Sequence, residues 1–183
     1  MTEKINKLAD FEEEIYDENE VDEVSENKIK LGTILEIIAS ICAIIGIGTL
    51  IYLNMSELND QKRAENTLNN LREIRIAMEK YYNKANTYPE LSKSGAWNNL
   101  RILDYYNANG ELISFAEIYG SDVLKGTFKN DALDENNTVR DTNDFENGTM
   151  DGGWNYDHTG QTGEIHANLP YNHYSQEIEW HEY

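Results

Sequence analysis

From Leu31 to Leu53 the chain reads LGTILEIIASICAIIGIGTLIYL, 23 residues with a single charged side chain, Glu36. No other feature restricts the fold as much. At about 1.5 Å per residue, a helix of this length spans roughly 35 Å, enough to cross the hydrocarbon core of a bilayer. A cleaved secretory signal has a basic start, a shorter apolar stretch and a small-x-small exit, and this long apolar run with its acidic start fits that poorly. The stretch is therefore read as a transmembrane helix over 31–53. The negative mean hydropathy of the whole chain conceals it.

The flanks differ sharply from the span. Residues 1–30 hold eleven acids and four lysines, a net charge of −7, with sparse apolar residues and no sustained period. Such a segment buries too little surface to offset its conformational entropy, so a disordered acidic tail or leader is expected there. Lys28 and Lys30 border the span on one side, and on the other Glu57 and Asp60 accompany Lys62 and Arg63. Positive residues favour the cytoplasmic side, which places the N-terminus in the cytoplasm and the remaining residues outside.

Beyond the span the helix is expected to continue. Residues 56–85 contain neither Pro nor Gly. Ala64, Leu68, Leu71, Ile74 with Arg75, Met78 and Tyr82 recur in steps of three and four, as on an amphipathic helix over 54–87. Glu65, Asn69, Arg72, Glu73, Glu79 and Lys80 form the polar face. Pro89 is expected to stop it, because the residue before proline avoids the α region.

The rest, residues 88–183, is expected to form a small α/β head. Trp97–Ile102 and Leu112–Leu124 read as short helices or turns, and Lys129–Gly153 as a loop rich in Asn, Asp, Gly and Thr. Trp154 and Tyr156 alternate with polar residues, turn chemistry fills Asp157–Gly163, and alternation resumes over Glu164–Asn168. That is a β-hairpin pattern. Tyr171–Tyr183 is expected to add one more strand. The fold class is α+β.

Composition excludes several functions. The chain has 183 residues, with 15 Lys+Arg against 34 Asp+Glu and a net charge of −19. Phosphate backbones are held by clustered cations, so nucleic acid is not expected as a direct ligand. One Cys excludes an intramolecular disulfide framework and a cysteine-based zinc cluster, and within the span Cys42 is a small apolar residue. His158, His166, His173 and His181 lie seven or eight apart, which suits exposed histidines better than a metal site on one helix. Asn136-Asn137-Thr138 and Asn147-Gly148-Thr149 match the glycosylation triplet, which arises readily by chance in an Asn-rich chain. No nucleophile–base pair, phosphate-binding glycine loop or paired carboxylate is present, so an enzyme is not expected. Glu36 stands out. A carboxylate in an apolar span costs on the order of 2.5–3.5 kcal/mol at mid-membrane, less near the edge, and such residues usually face a partner.

Thr33-Ile34-Leu35-Glu36 followed by apolar residues resembles the N-terminal signature of type IV pilins and type II secretion pseudopilins. Ile74–Tyr82 followed by Asn83, Asn86 and Thr87-Tyr88-Pro89 is similar to the "helix, Tyr-Tyr, then Tyr-Pro" passage of that family. Gly152-Gly153-Trp154-Asn155-Tyr156-Asp157, then Gly160, Gly163-Glu164-Ile165 and Ala167-Asn168, is similar to its terminal hairpin. Aligning on Glu36 puts Leu31 before the processing site and Gly32 at the new N-terminus, where the family carries Gly and an aromatic residue. The resemblance implies a pilin-like fold, a long N-terminal helix packed on a small antiparallel sheet. It implies a structural, non-enzymatic subunit of a type IV pilus or a type II secretion pseudopilus filament. Partners would be other subunits, a prepilin peptidase, an assembly platform and the cytoplasmic (inner) membrane. Cleavage at Leu31–Gly32 would free an α-amino group on Gly32, and Glu36 of one subunit would pair with that amine on its neighbour, with Thr33 beside it. The chain is then either cut after Leu31 or left whole, its acidic tail kept in the cytoplasm. Ala39, Ala43, Gly46 and Gly48 would allow close helix approach. Family pseudopilins often hold calcium in a loop near the acidic stretch, which makes Asp131, Asp134 and Asp144 calcium candidates, although Asp-x-Asp-x-Asp-Gly spacing is missing. The alternative is a membrane-anchored extracytoplasmic binding protein that never polymerises.

Overall fold

The computed structural model describes residues 3–183, and the side chains of residues 31–183. The acidic tail expected over 1–30 lies outside the residues whose side chains are described. The protein is α+β. One long helix, α1 (Glu3–Ala85), precedes β1 (Tyr105–Tyr106), β2 (Leu112–Ile113), α2 (Phe115–Tyr119), β3 (Val139–Asp141), β4 (Trp154–Tyr156) and β5 (Ile165–Ala167). Two compact units divide the chain, residues 1–54 and residues 55–183.

In residues 55–183, α1 buries Ala64, Thr67, Leu71, Ile74, Ala77, Met78 and Tyr81, spaced three or four apart along one face. The predicted polar face, Glu65, Asn69, Arg72, Glu73, Glu79 and Lys80, is exposed throughout. Two residues expected on the apolar stripe shift outward: Tyr82 is exposed and Leu68 half-buried. Their places are taken by Thr67 and Asn70, both polar and both buried. Each is satisfied across the core, as a buried polar group must be. Asn70 Nδ2 donates to Gly126 O at 2.9 Å. The Thr67 hydroxyl accepts from the Phe128 N–H at 3.3 Å and lies 3.1 Å from the Tyr174 hydroxyl. Because Tyr174 gives its proton to Phe128 O, Thr67 is the donor between the two hydroxyls. Burial pushes the Tyr174 phenol up to about 12, so it remains a donor at neutral pH.

Helix α1 ends ahead of Pro89. Asn86 takes a left-handed conformation, φ 54°, and its N–H returns to Tyr82 O at 2.7 Å. Asparagine tolerates that conformation and supplies the C-terminal cap. Pro89 instead forms part of the core boundary, its carbonyl accepting from the Tyr156 hydroxyl at 2.9 Å.

A three-stranded sheet, order β3-β4-β5, packs on this helix. The hairpin read from the sequence is present: β4 and β5 run antiparallel, with Trp154 opposite Ala167, Asn155 opposite His166 and Tyr156 opposite Ile165. Trp154, Tyr156, Ile165 and Ala167 enter the core, while Asn155 and His166 alternate to the other face. In the hairpin turn, Asp157 Oδ1 accepts from the Gly160 N–H at 2.8 Å and Oδ2 from the Thr162 hydroxyl at 2.8 Å.

The sheet is not purely antiparallel. Within the expected loop, Val139–Asp141 forms β3, which pairs parallel to β4. A parallel neighbour needs a connection of about a dozen residues, and residues 142–153 provide it. Asn168 gathers that connection. Its Nδ2 is shared among Thr149 Oγ1 (2.9 Å), Asp151 Oδ1 (2.8 Å) and Gly152 O (3.1 Å), and its Oδ1 accepts from the Met150 N–H at 2.9 Å. Arg140 on β3 reaches Asp151 at 2.6 Å. Asp141 binds the N–H groups of His158 (3.0 Å) and Thr159 (3.1 Å) and the Thr159 hydroxyl. Burial works against the Asp141 charge, but these donors outweigh it and hold the carboxyl below its usual range.

The expected final strand does not form. Asn172, Ser175 and Glu177 all have φ near +55°, which no strand accommodates, and Trp180–Glu182 closes the chain in a 3₁₀ turn. None of the four histidines is exposed as expected: His158 and His181 are half-buried, and His166 and His173 are buried.

Candidate functional site

In residues 31–53 every side chain is exposed. Twelve Ile and Leu residues lie there, including Ile44 at 70% and Leu50 at 63% exposure. They occupy all sides of the helix, not one stripe: at about 100° per residue, Leu35, Ile37, Ile38, Ile47 and Leu50 fall in five directions spread around the full turn. A helix apolar all round suits a membrane span or a buried core position, not a water surface. Taking about 1.5–3 kcal/mol per covered side chain, removing these twelve from water is worth on the order of 20 kcal/mol. The helix is long and apolar enough to cross a membrane.

Polar side chains in and just after this stretch suit the same environment. Ser40 Oγ donates to Glu36 O at 2.8 Å, Thr49 Oγ1 to Ile45 O at 2.8 Å, and Asn54 Nδ2 to Leu50 O at 2.9 Å. Each folds back on the carbonyl four residues earlier. In hydrocarbon no water is available to a free hydroxyl or amide, and this back-bonding satisfies the donor within the helix.

Glu36 is exposed on this apolar surface, and among the described residues no ion pair includes it. Leu31, Gly32 and Thr33 lie one turn earlier in α1, with Leu31 exposed and open space beside Gly32. Gly46 and Gly48 likewise leave the helix backbone uncovered. Cys42 is a free, exposed thiol in the same stretch.

The calcium candidates are not brought together. Among the described residues no three His, Cys, Asp or Glu side chains converge on one point. Asp144 instead caps its own turn, accepting from the N–H (3.0 Å) and Nδ2 (3.1 Å) of Asn147. Asn136, in one glycosylation triplet, commits its Nδ2 to Asp151 O at 3.1 Å.

Residues 55–183 hold polar chemistry that the sequence reading missed. The Asn168 hub, the Asp141 clamp and the buried His166 all lie on or beside the three-stranded sheet. A cleft of about 320 Å³ is lined by Arg75, Glu79, Tyr88, Glu164 and His166, and Arg75 crosses it to donate to Ile165 O at 2.6 Å. Burial lowers the Arg75 guanidinium from its usual value, against a smaller opposing effect of Glu164. Only Asn168 carried a local signal, as the polar residue following the alternating Ile-His-Ala.

An acidic substitution tests the reading of the apolar stretch. Ile45→Asp is expected to weaken membrane insertion by roughly 2.5–3.5 kcal/mol. Alkaline carbonate extraction should shift that variant toward the soluble fraction, while Tyr106→Asp, at a 72% exposed position, stays with the wild type in the pellet. No protein-family model, curated protein or solved structure matches the chain.

Proposed function

We propose that the protein is a single-pass membrane subunit of pilin or pseudopilin type, which assembles through α1 into a pilus or a short secretion filament. The observation carrying this reading is the apolar stretch over 31–53, exposed on every side and interrupted by one carboxylate. Lipid covers the apolar side chains but not Glu36. A cation supplied by a neighbouring copy does. With cleavage after Leu31, the freed amine of Gly32 is that cation, and pairing removes two desolvation penalties at once while setting the register between subunits. The N-terminal side faces the cytoplasm, residues 55–183 lie outside, and the role is structural, not catalytic.

Two measurements test it. The mass of the native membrane-extracted protein should correspond to an N-terminus at Gly32, and a peptide spanning Leu31–Gly32 in the assembled material would count against cleavage. Glu36→Ala should reduce incorporation into sheared filaments at least tenfold while leaving membrane levels unchanged. Equal incorporation sinks the pairing mechanism, and absence of any filament for the wild type favours a non-polymerising anchored binding protein.

A further inference from the structure

Residues 169–183 cross the sheet unit without forming a strand or α-helix, and buried rings hold them in place. Tyr174 and Trp180 are each about 1% exposed and meet edge to face with ring centroids 5.4 Å apart. The backbone around them is contorted, with Asn172, Ser175 and Glu177 all left-handed although none is glycine. Such a segment is held by its anchors, not by a hydrogen-bonded ladder.

Two histidines sit at those anchors. His173 belongs to the segment, is 8% exposed, and its ring meets Tyr174 at 4.5 Å. Asn130 Nδ2 lies 3.2 Å from His173 Nδ1 and donates to the His173 carbonyl at 2.8 Å. Nδ1 therefore accepts, which puts the proton of the neutral ring on Nε2, and Nε2 is buried with no partner. His166 lies on β5, which packs against the Trp180–Glu182 turn. It is 8% exposed, with Phe145 covering its ring at 4.3 Å, and neither ring nitrogen completes a hydrogen bond.

We propose that residues 169–183 form an acid-released latch, closed while His166 and His173 are neutral and freed when the two rings take up protons. The charged groups around each ring are mixed. His166 faces Arg75 from α1, Glu164 with Oε1 3.7 Å from Nε2, and the main chain of Tyr183. His173 faces Asp60 from α1. His181, on the segment, pairs with Glu179 at 3.6 Å in a half-exposed position. A proton on His173 Nδ1 would point at the Asn130 amide, turning an accepted hydrogen bond into a donor–donor clash. A proton on His166 would bury a cation beside Arg75. Burial lowers both rings from 6.5, reinforced by Arg75 at His166 and opposed by Glu164 there and by Asp60 at His173. The closed state thus binds fewer protons than the open one. Closure is fully present above about pH 6.5 and is lost as pH falls through the lowered closed values. The latch involves residues 55–183 alone and does not depend on filament assembly.

Hydrogen exchange on the full-length protein in neutral detergent tests this, comparing pH 7.5 with pH 5.0 after correction for intrinsic rates. At pH 5.0 carboxylates of ordinary pKa, roughly 3.9–4.3, are still charged. Peptides covering 169–183 should lose protection at least tenfold at pH 5.0, while peptides covering β4 and residues 64–81 keep theirs. The double variant His166→Phe, His173→Asn keeps a ring against Phe145 and, in the Asn Oδ1, an acceptor for Asn130, but cannot titrate, and should stay closed at both values. His181→Gln should behave as wild type. Equal protection at the two pH values overturns the proposal, as does loss of protection everywhere at once or opening of the double variant like the wild type. If that variant fails to fold, NMR titration of the wild-type imidazoles decides: values for His166 and His173 at or above 6.5 overturn the latch.

Discussion

Trp154→Ala should destabilise residues 55–183 by about 3–5 kcal/mol, a large part of what a domain of this size has in reserve. The side chain is fully buried in the core shared by α1 and the sheet, and its Nε1 donates to Lys125 O at 3.0 Å. Its main chain sits on the central strand, paired with Val139 on one side and Ala167 on the other. Truncation therefore opens a cavity between α1 and the sheet and leaves a buried carbonyl without its donor. Guanidinium unfolding of the detergent-solubilised protein, followed by tyrosine and residual tryptophan fluorescence, would measure the loss. A loss below about 1 kcal/mol would mean that the site collapses or that the sheet does not pack on α1 as described.

The second large effect is expected at Gly153, where two separate costs add. Its φ is +78°, and a Cβ there would stand 2.4 Å from the Thr138 carbonyl oxygen, a main-chain atom that cannot swing away. Gly153→Ala should cost roughly 2–5 kcal/mol, the left-handed backbone supplying about 1–2 and the overpacking about 1–3. Two further alanines separate the contributions. Gly95 has φ +81° with open space around its missing Cβ, so Gly95→Ala reports the backbone cost alone. Gly126 lacks the positive φ but would place a Cβ 2.4 Å from Asn136 O, so Gly126→Ala reports the clash alone. If Gly153→Ala costs no more than Gly95→Ala, the tight approach of Gly153 to Thr138 is absent.

Both sites belong to a part of the chain whose outline, but not whose assembly, can be read from residues in order. The Trp154–Tyr156 and Ile165–Ala167 strands are announced by alternation around a turn of Asp, Thr and Gly, because both signals are local. Strand β3 is not announced. Val139-Arg140-Asp141 is short and mostly polar, and its pairing depends on Arg140, Asp151, Thr149 and Asn168 meeting across a long connection. Thr67 and Asn70 show the same limit. Helical period marks their positions as facing the core, yet their polarity argues against burial until Phe128, Tyr174 and Gly126 supply the partners. The final segment misled for a related reason. Tyr174, Ile178 and Trp180 have the composition of a strand, while the left-handed Asn172, Ser175 and Glu177 arise only from how the segment fits over the core.

What the sequence determined by itself is the apolar helix over 31–53 with its single carboxylate, the amphipathic continuation to residue 85 and the hairpin. These follow from composition and period, which act between residues a few positions apart. The tertiary structure alone decided the parallel strand, the Asn168 hub, the burial of His166 and His173 and the irregular path of the last fifteen residues. Those depend on partners distant in the chain, whose hydrogen bonds and packing exist only once the fold has brought them into contact.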